Sequence, residues 1–146
     1  MLSIKQIRAA DYINYNMPLL RMNWAETGFG FDFAPDVARI DQLQKLGAMF
    51  VLGAFDGDEV VGYCSAMVWP HHFNPAIICC NSDALFIRED HRCTSLAFRL
   101  VKETERIAKE RGAVLQLWHT RAGTKFSNML AKRGYEPADI TVMKRI

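Results

Sequence analysis

Ala84-Leu85-Phe86-Ile87-Arg88-Glu89-Asp90-His91-Arg92-Cys93-Thr94-Ser95-Leu96-Ala97 decides the fold. It reads as an apolar strand, a charged turn, and the start of a helix whose first residues are small and polar. Such a helix start presents backbone N–H groups without partners and the positive end of a dipole. Both suit an anion, a pyrophosphate above all, and Arg88, His91 and Arg92 add positive potential beside it. The helix that follows is the clearest in the chain. Leu96, Ala97, Leu100, Val101, Thr104, Ile107 and Ala108 share one face, while Arg99, Lys102, Glu103, Arg106, Lys109 and Glu110 share the other. Thr94 or Ser95 is its expected cap, Glu105–Lys109 its expected i,i+4 pair, and Gly112 its end.

Upstream, Ala76–Ile87 is apolar enough for a central strand. Met49–Phe55 and Glu59–Trp69 flank Asp56-Gly57-Asp58 as a hairpin, because Gly accepts the positive φ of a tight turn. Pro70–Pro75 reads as a loop carrying His71 and His72. Residues 2–8 form a first strand, Asp11 caps a helix over 12–22 that Pro18 interrupts, and Asn23–Pro35 is an aromatic loop. Pro35-Asp36 opens a helix with the stripe Val37, Ile40, Leu43 and Leu46, ended by Gly47. Downstream come a strand over 113–120, a helix over 124–133 and a closing strand over 135–146. The order β-α-α-β-β-β-α-β-α-β predicts an α/β protein. Its sheet is mixed and mainly antiparallel, with helices on both faces, in one domain over residues 1–146.

The 146 residues suffice for a core without staples. Eighteen Lys and Arg against sixteen Asp and Glu leave a net charge of +2, too balanced to advertise a nucleic acid or membrane partner. No apolar run reaches the length of a membrane span, and the N-terminus lacks the apolar stretch of a secretory signal, so a cytoplasmic protein is expected. Cys64, Cys79, Cys80 and Cys93 form no C-x-x-C pair and read as reduced thiols. A zinc site from Cys79, Cys80, His71 and His72 would match no common spacing.

Arg92-Cys93-Thr94-Ser95-Leu96-Ala97 resembles the Gln/Arg-x-x-Gly-x-Gly/Ala turn of the GNAT superfamily of acyl-CoA-dependent N-acetyltransferases. Arg92 matches the first position and Ala97 the last; Ser95 stands where the family has Gly. The hairpin Phe55–Gly62 and the helix end Lys132-Arg133-Gly134-Tyr135 also look like the family's, in the same order. The resemblance implies a GNAT-like fold and acetyl-CoA as cosubstrate. Leu85, Phe86 and Ile87 would offer backbone groups to the pantetheine arm and thioester. Arg92, Cys93, Thr94, Ser95, Leu96 and Ala97 would hold the pyrophosphate. The implied activity is direct acetyl transfer to a small-molecule or protein amine, and a homodimer stays open. The family's usual catalytic Tyr position is Leu130 here, and its usual Asn is Gly123. Asp83, Ser127 and His119 are therefore the candidate catalytic groups, and His71 or His72 could touch substrate. Among Trp24, Phe29, Phe31 and Phe33, one or two could line the acceptor pocket. The alternatives are a catalytically silent CoA-binding protein acting through a partner, and a nucleic-acid module using Arg99, Lys102, Arg106 and Lys109. The interleaved Glu103, Glu105 and Glu110 weaken the latter.

Overall fold

A computed structural model describes residues 1–14 and 16–146, with the backbone but not the side chain of Thr94. Five strands form one sheet in the order β1-β2-β3-β4-β5: β1 Leu2–Ile7, β2 Met49–Asp56, β3 Glu59–His71, β4 Asn74–Ile87 and β5 Ala113–Leu117. The first four run antiparallel to their neighbours and β5 is parallel to β4, as the single long crossover through a helix requires. The helices are α1 Ala9–Tyr12, α2 Met17–Thr27, α3 Val37–Lys45, α4 Thr94–Glu110 and α5 Lys125–Lys132.

Strand alternation sorts the core into two layers. Phe50 and Leu52 of β2 meet Leu96, Leu100 and Ile107 of α4 on one face. Met49 and Val51 meet Ala9 of α1 and Val37, Ile40 and Leu43 of α3 on the other. Adjacent Cys79 and Cys80 are both buried, but only Cys80 joins the α4 layer. Helix α5 adds Met129 and Leu130 against Val101, with Leu85 and Trp118 packed around them.

Several sequence expectations need correction. The closing strand over 135–146 does not form; Ile140 and Val142 remain exposed. Pro137 lacks a ladder donor, and the Arg145 guanidinium instead donates to the Phe29 carbonyl. The segment 23–35 is not all loop. Asn23–Thr27 completes α2, and the Trp24 Nε1–H donates to the Phe31 carbonyl at 2.7 Å, so the loop aromatics gather on a helical Trp. Asp11 lies inside α1 and caps nothing; Arg8 stands at the N-cap. Pro18 sits in the first turn of α2, where its missing N–H costs nothing. Asp36 is the N-cap of α3, accepting the Arg39 N–H at 2.9 Å. The loop at 70–75 shrinks to His72-Phe73, with β3 and β4 running up to it. Cys93, not Thr94 or Ser95, is the N-cap residue of α4. Glu105 pairs with Lys102 rather than Lys109.

Candidate active site

The site begins where β4 loses a neighbour. Ile78, Cys79, Cys80 and Asn81 pair with β5 on one edge and β3 on the other. Beyond Asn81, β4 continues to Ile87 against β3 alone, because β5 stops at Leu117. Ser82 fixes the branch point: its Oγ accepts the His119 N–H at 2.8 Å, and its carbonyl lies 2.8 Å from His119 Nδ1. A carbonyl can only accept, so Nδ1 carries the proton and a neutral His119 keeps a lone pair on Nε2.

The free edge has a readable polarity. The Arg88 N–H donates to the Val61 carbonyl at 2.8 Å. Alternation then turns the main chain of Phe86 and Ala84 toward β3 and that of Leu85 and Ile87 outward. Of the three expected backbone contacts for a pantetheine arm, Leu85 and Ile87 face the open edge and Phe86 does not. The Ile87 carbonyl is already taken by Arg92 Nε at 2.8 Å. Beside this edge Trp118, Phe126, Ala97 and Leu85 pack, half-buried, around Val101, Met129 and Leu130.

At the far end of this edge, α4 starts. Its first internal bond is Ala97 N–H to the Cys93 carbonyl at 3.3 Å. Ser95 is exposed and small, Leu96 is fully buried, and Ala97 is half-buried. The Cys93 sulfur lies 3.3 Å from Ser95 Oγ, and that hydroxyl, with the Leu96 and Ser95 N–H groups, holds the thiol below its ordinary range. Arg92 points elsewhere: it pairs with Glu26 of α2 and its guanidinium lies 5.3 Å from the Phe86 ring centre. It acts as a strut between α2 and the turn. The Thr94 side chain lies outside the described residues. A small first turn beside an unpaired strand edge fits a CoA: Ser95, Leu96 and Ala97 would meet the pyrophosphate, and Leu85 and Ile87 the arm.

Asp83 lies on the opposite face. It is the extra residue of a bulge, since Ser65 pairs with Ala84 and Ala66 with Ser82. The bulge relieves the cost of a carboxylate in an apolar strand by leaving it exposed, and Oδ2 accepts the Ser65 hydroxyl at 3.2 Å. Asp83 and His119 thus sit on either side of Ser82. Ser127 does not join them; its hydroxyl donates to the Thr124 carbonyl at 2.9 Å. Leu130 is buried in the α5 core. His71 and His72 stand at the other end of β4, about 30 Å from Asp83 at the rise of an extended strand, so neither belongs to the site. Among the described residues no cluster of three potential metal ligands occurs. A groove of about 580 Å³ lined by Glu105, Lys109, Val114 and Gln116 lies beside β5 and contains none of these groups.

Sequence reading missed Tyr63, Asn23 and Ser82. The period-two pattern of β3 puts Tyr63 on the face of Ser65, but only the register shows that Tyr63 faces Phe86. The Asn23 amide of α2 donates to the Tyr63 hydroxyl.

The model of the acetyltransferase (GNAT) family matches residues 16–135. The chain belongs to the GNAT acetyltransferase family. Members of this family use acetyl-CoA as cosubstrate. No curated protein matches the chain. Solved structures of GNAT proteins share its fold. A ribosomal-protein-alanine N-acetyltransferase from Brucella melitensis biovar Abortus 2308 is 17% identical, with a TM-score of 0.74 and 100% of both chains covered. The aminoglycoside acetyltransferase HMB0005 from an uncultured soil metagenomic sample is 16% identical, with a TM-score of 0.78, covering 100% of this chain and 99% of that one. A predicted acetyltransferase from Clostridium acetobutylicum, solved with acetyl-CoA, is 10% identical, with a TM-score of 0.77 over 99% and 96%. Among the described residues, no GNAT helix here is long and apolar enough to cross a membrane. Of the outward cations of α4, Lys102 pairs with Glu105 and Arg106 with Glu103 and Glu110, while Arg99 donates to the Leu2 carbonyl.

Proposed function

We propose that this GNAT domain, residues 1–146, moves an acetyl group from acetyl-CoA directly to an amine. The observation that carries the reading is the half-paired end of β4, open on one edge between the branch at Ser82 and the small first turn of α4. Transfer joins the amine nitrogen to the acyl carbon and breaks the carbon–sulfur bond. The amine gives up a proton and the leaving thiolate takes one from solvent, which is adequate for a thiol that ionises at about 8.5. Asp83, or a water it holds, accepts the amine's proton, and His119 Nε2 is the second acceptor beside the bulge. A cysteine relay is disfavoured. Burial pushes the Cys64 and Cys80 thiols up to about 12 and about 11, and Cys93 stands at the pyrophosphate end, away from the thioester.

Acetyl-CoA should raise the melting temperature, and thiol release should follow with an amine present. Asp83→Ala should lower kcat about 100-fold with acetyl-CoA binding kept, and Cys93→Ser should keep turnover. Ping-pong kinetics or an acetylated Cys93 would overturn direct transfer. The buried Leu130 and the tied Ser127 hydroxyl favour a second reading, a catalytically silent CoA-binding protein. Binding of acetyl-CoA without thiol release to any amine would select it.

A further inference from the structure

We infer that Tyr63, held by Asn23, is the specificity residue of the acceptor side, where its hydroxyl reads an uncharged oxygen on the amine docked at Asp83. The inference rests on the transferase reading above and names the acceptor class, an amine that also carries a hydroxyl or a carbonyl.

Tyr63 and Ser65 lie two residues apart on one face of β3, about 7 Å along the strand. Ser65 donates to Asp83, so the carboxylate and the phenol share that face. The Tyr63 ring is fixed by packing. Its centre lies 6.2 Å from that of Phe86, in a cluster with Leu19, Phe55, Val60, Ile7 and Tyr12. The oxygen is fixed separately, because it accepts the Asn23 amide from α2. That bond leaves the phenolic proton free, and it finds no acceptor among the described residues. A side chain held at both ring and oxygen, with its donor unused, is preorganised for a ligand.

The chemistry of the donor narrows the ligand. Burial, chiefly, pushes the Tyr63 hydroxyl up to about 12, and the nearby Asp83 charge adds to this. It stays protonated, and it is too weak an acid to supply a thiolate whose thiol ionises at about 8.5. Its use is therefore a neutral hydrogen bond, not proton transfer. An anionic group would be repelled by Asp83. What remains is an ammonium or amine at Asp83 and a neutral oxygen at Tyr63. Amino alcohols and amino sugars have this pattern and simple polyamines lack it.

The test compares matched amines in the thiol-release assay with the full chain: 1,3-diamino-2-propanol and glucosamine against 1,3-diaminopropane and spermidine. The oxygenated amines should be used at least about tenfold better in kcat/KM, the scale of one satisfied hydrogen bond in a substrate site. Tyr63→Phe should raise KM for them about tenfold, with kcat and the oxygen-free amines unchanged. Asn23→Ala should do the same to a smaller extent. Equal use of both groups by the wild type overturns the inference, as does a preference that survives Tyr63→Phe. Turnover of some other amine but of neither oxygenated one also overturns it. Failure to bind acetyl-CoA, or binding without thiol release to any amine, is instead the failure of the transferase reading, and this one falls with it. The Tyr63→Phe melting temperature separates loss of fold from loss of specificity.

Discussion

The first part of β4, Ile78 to Asn81, is paired on both edges, whereas the second, Ser82 to Ile87, is paired on one. In the first part a strand lies on either side, with one register shift between Ile78 and Cys79 on the β5 edge, and Cys80 is fully buried. In the second, the outward backbone of Leu85 and the Ile87 N–H have no strand beside them. The Asp83 bulge and the Ser82–His119 bonds lie at the boundary. The difference teaches that this site comes from ending a ladder. An unpaired edge is a liability in a sheet, and here it runs toward the first turn of α4, where a ligand can complete it.

The comparison breaks most completely if the open end is filled. Ser95→Trp places a large side chain where, in the proposed reading, the backbone N–H groups of α4 would meet a pyrophosphate, and Ser95 itself is exposed. Acetyl-CoA affinity by calorimetry should fall more than about 100-fold, a loss of about 2.7 kcal/mol, while the melting temperature without ligand stays put. Unchanged affinity would move the pyrophosphate elsewhere.

A smaller effect is expected at the boundary. Ser82 is buried, and Ser82→Ala deletes the acceptor of the His119 N–H. Stability should drop by about 1 kcal/mol, which lowers the melting temperature by about 2–4 °C for a domain of this size. Acetyl-CoA affinity should fall only a few-fold as the branch loosens. Equal losses of affinity from Ser82→Ala and Ser95→Trp would mean that the branch, not the turn, dominates binding.

The smallest effect concerns the turn between β4 and α4. His91 contacts Asp90 at 2.8 Å and Asp56 at 3.4 Å, and these carboxylates, Asp90 first, raise its pKa above 6.5. A raised folded-state value gives stability that is fully present below the unfolded pKa and is lost as pH rises through the folded one. The melting-temperature difference between wild type and His91→Asn should therefore be larger at pH 5.5 than at pH 9. A difference independent of pH would show that the ion pairs of this exposed turn contribute nothing.

The hairpin around Asp56-Gly57-Asp58, the central strand and α4 were all legible in sequence, because each signal is local. Gly57 takes φ 60°, the apolar run of β4 fits a middle strand, and the α4 stripe repeats every three or four residues. The order of these elements and the turn at 92–97 carried the family resemblance. The residues proposed for the CoA could be named for the same reason, since they lie on one continuous stretch. The catalytic assignment was less legible. Asp83 stood out as a carboxylate in an apolar strand, but its exposure depends on a bulge, and a bulge is defined only by the register against β3.

What the sequence by itself determined is thus whatever a single segment encodes: turn residues, hydrophobic period, helix ends and the small first turn of α4. What only the tertiary structure decided is whatever needs two segments at once. It put Asn23 of α2 on Tyr63 of β3, drew Arg92 to Glu26, tied His119 to Ser82, and left 135–146 without a ladder. The physical reason is that a hydrogen bond or a strand pairing fixes two partners far apart in sequence, and period and composition describe only one of them.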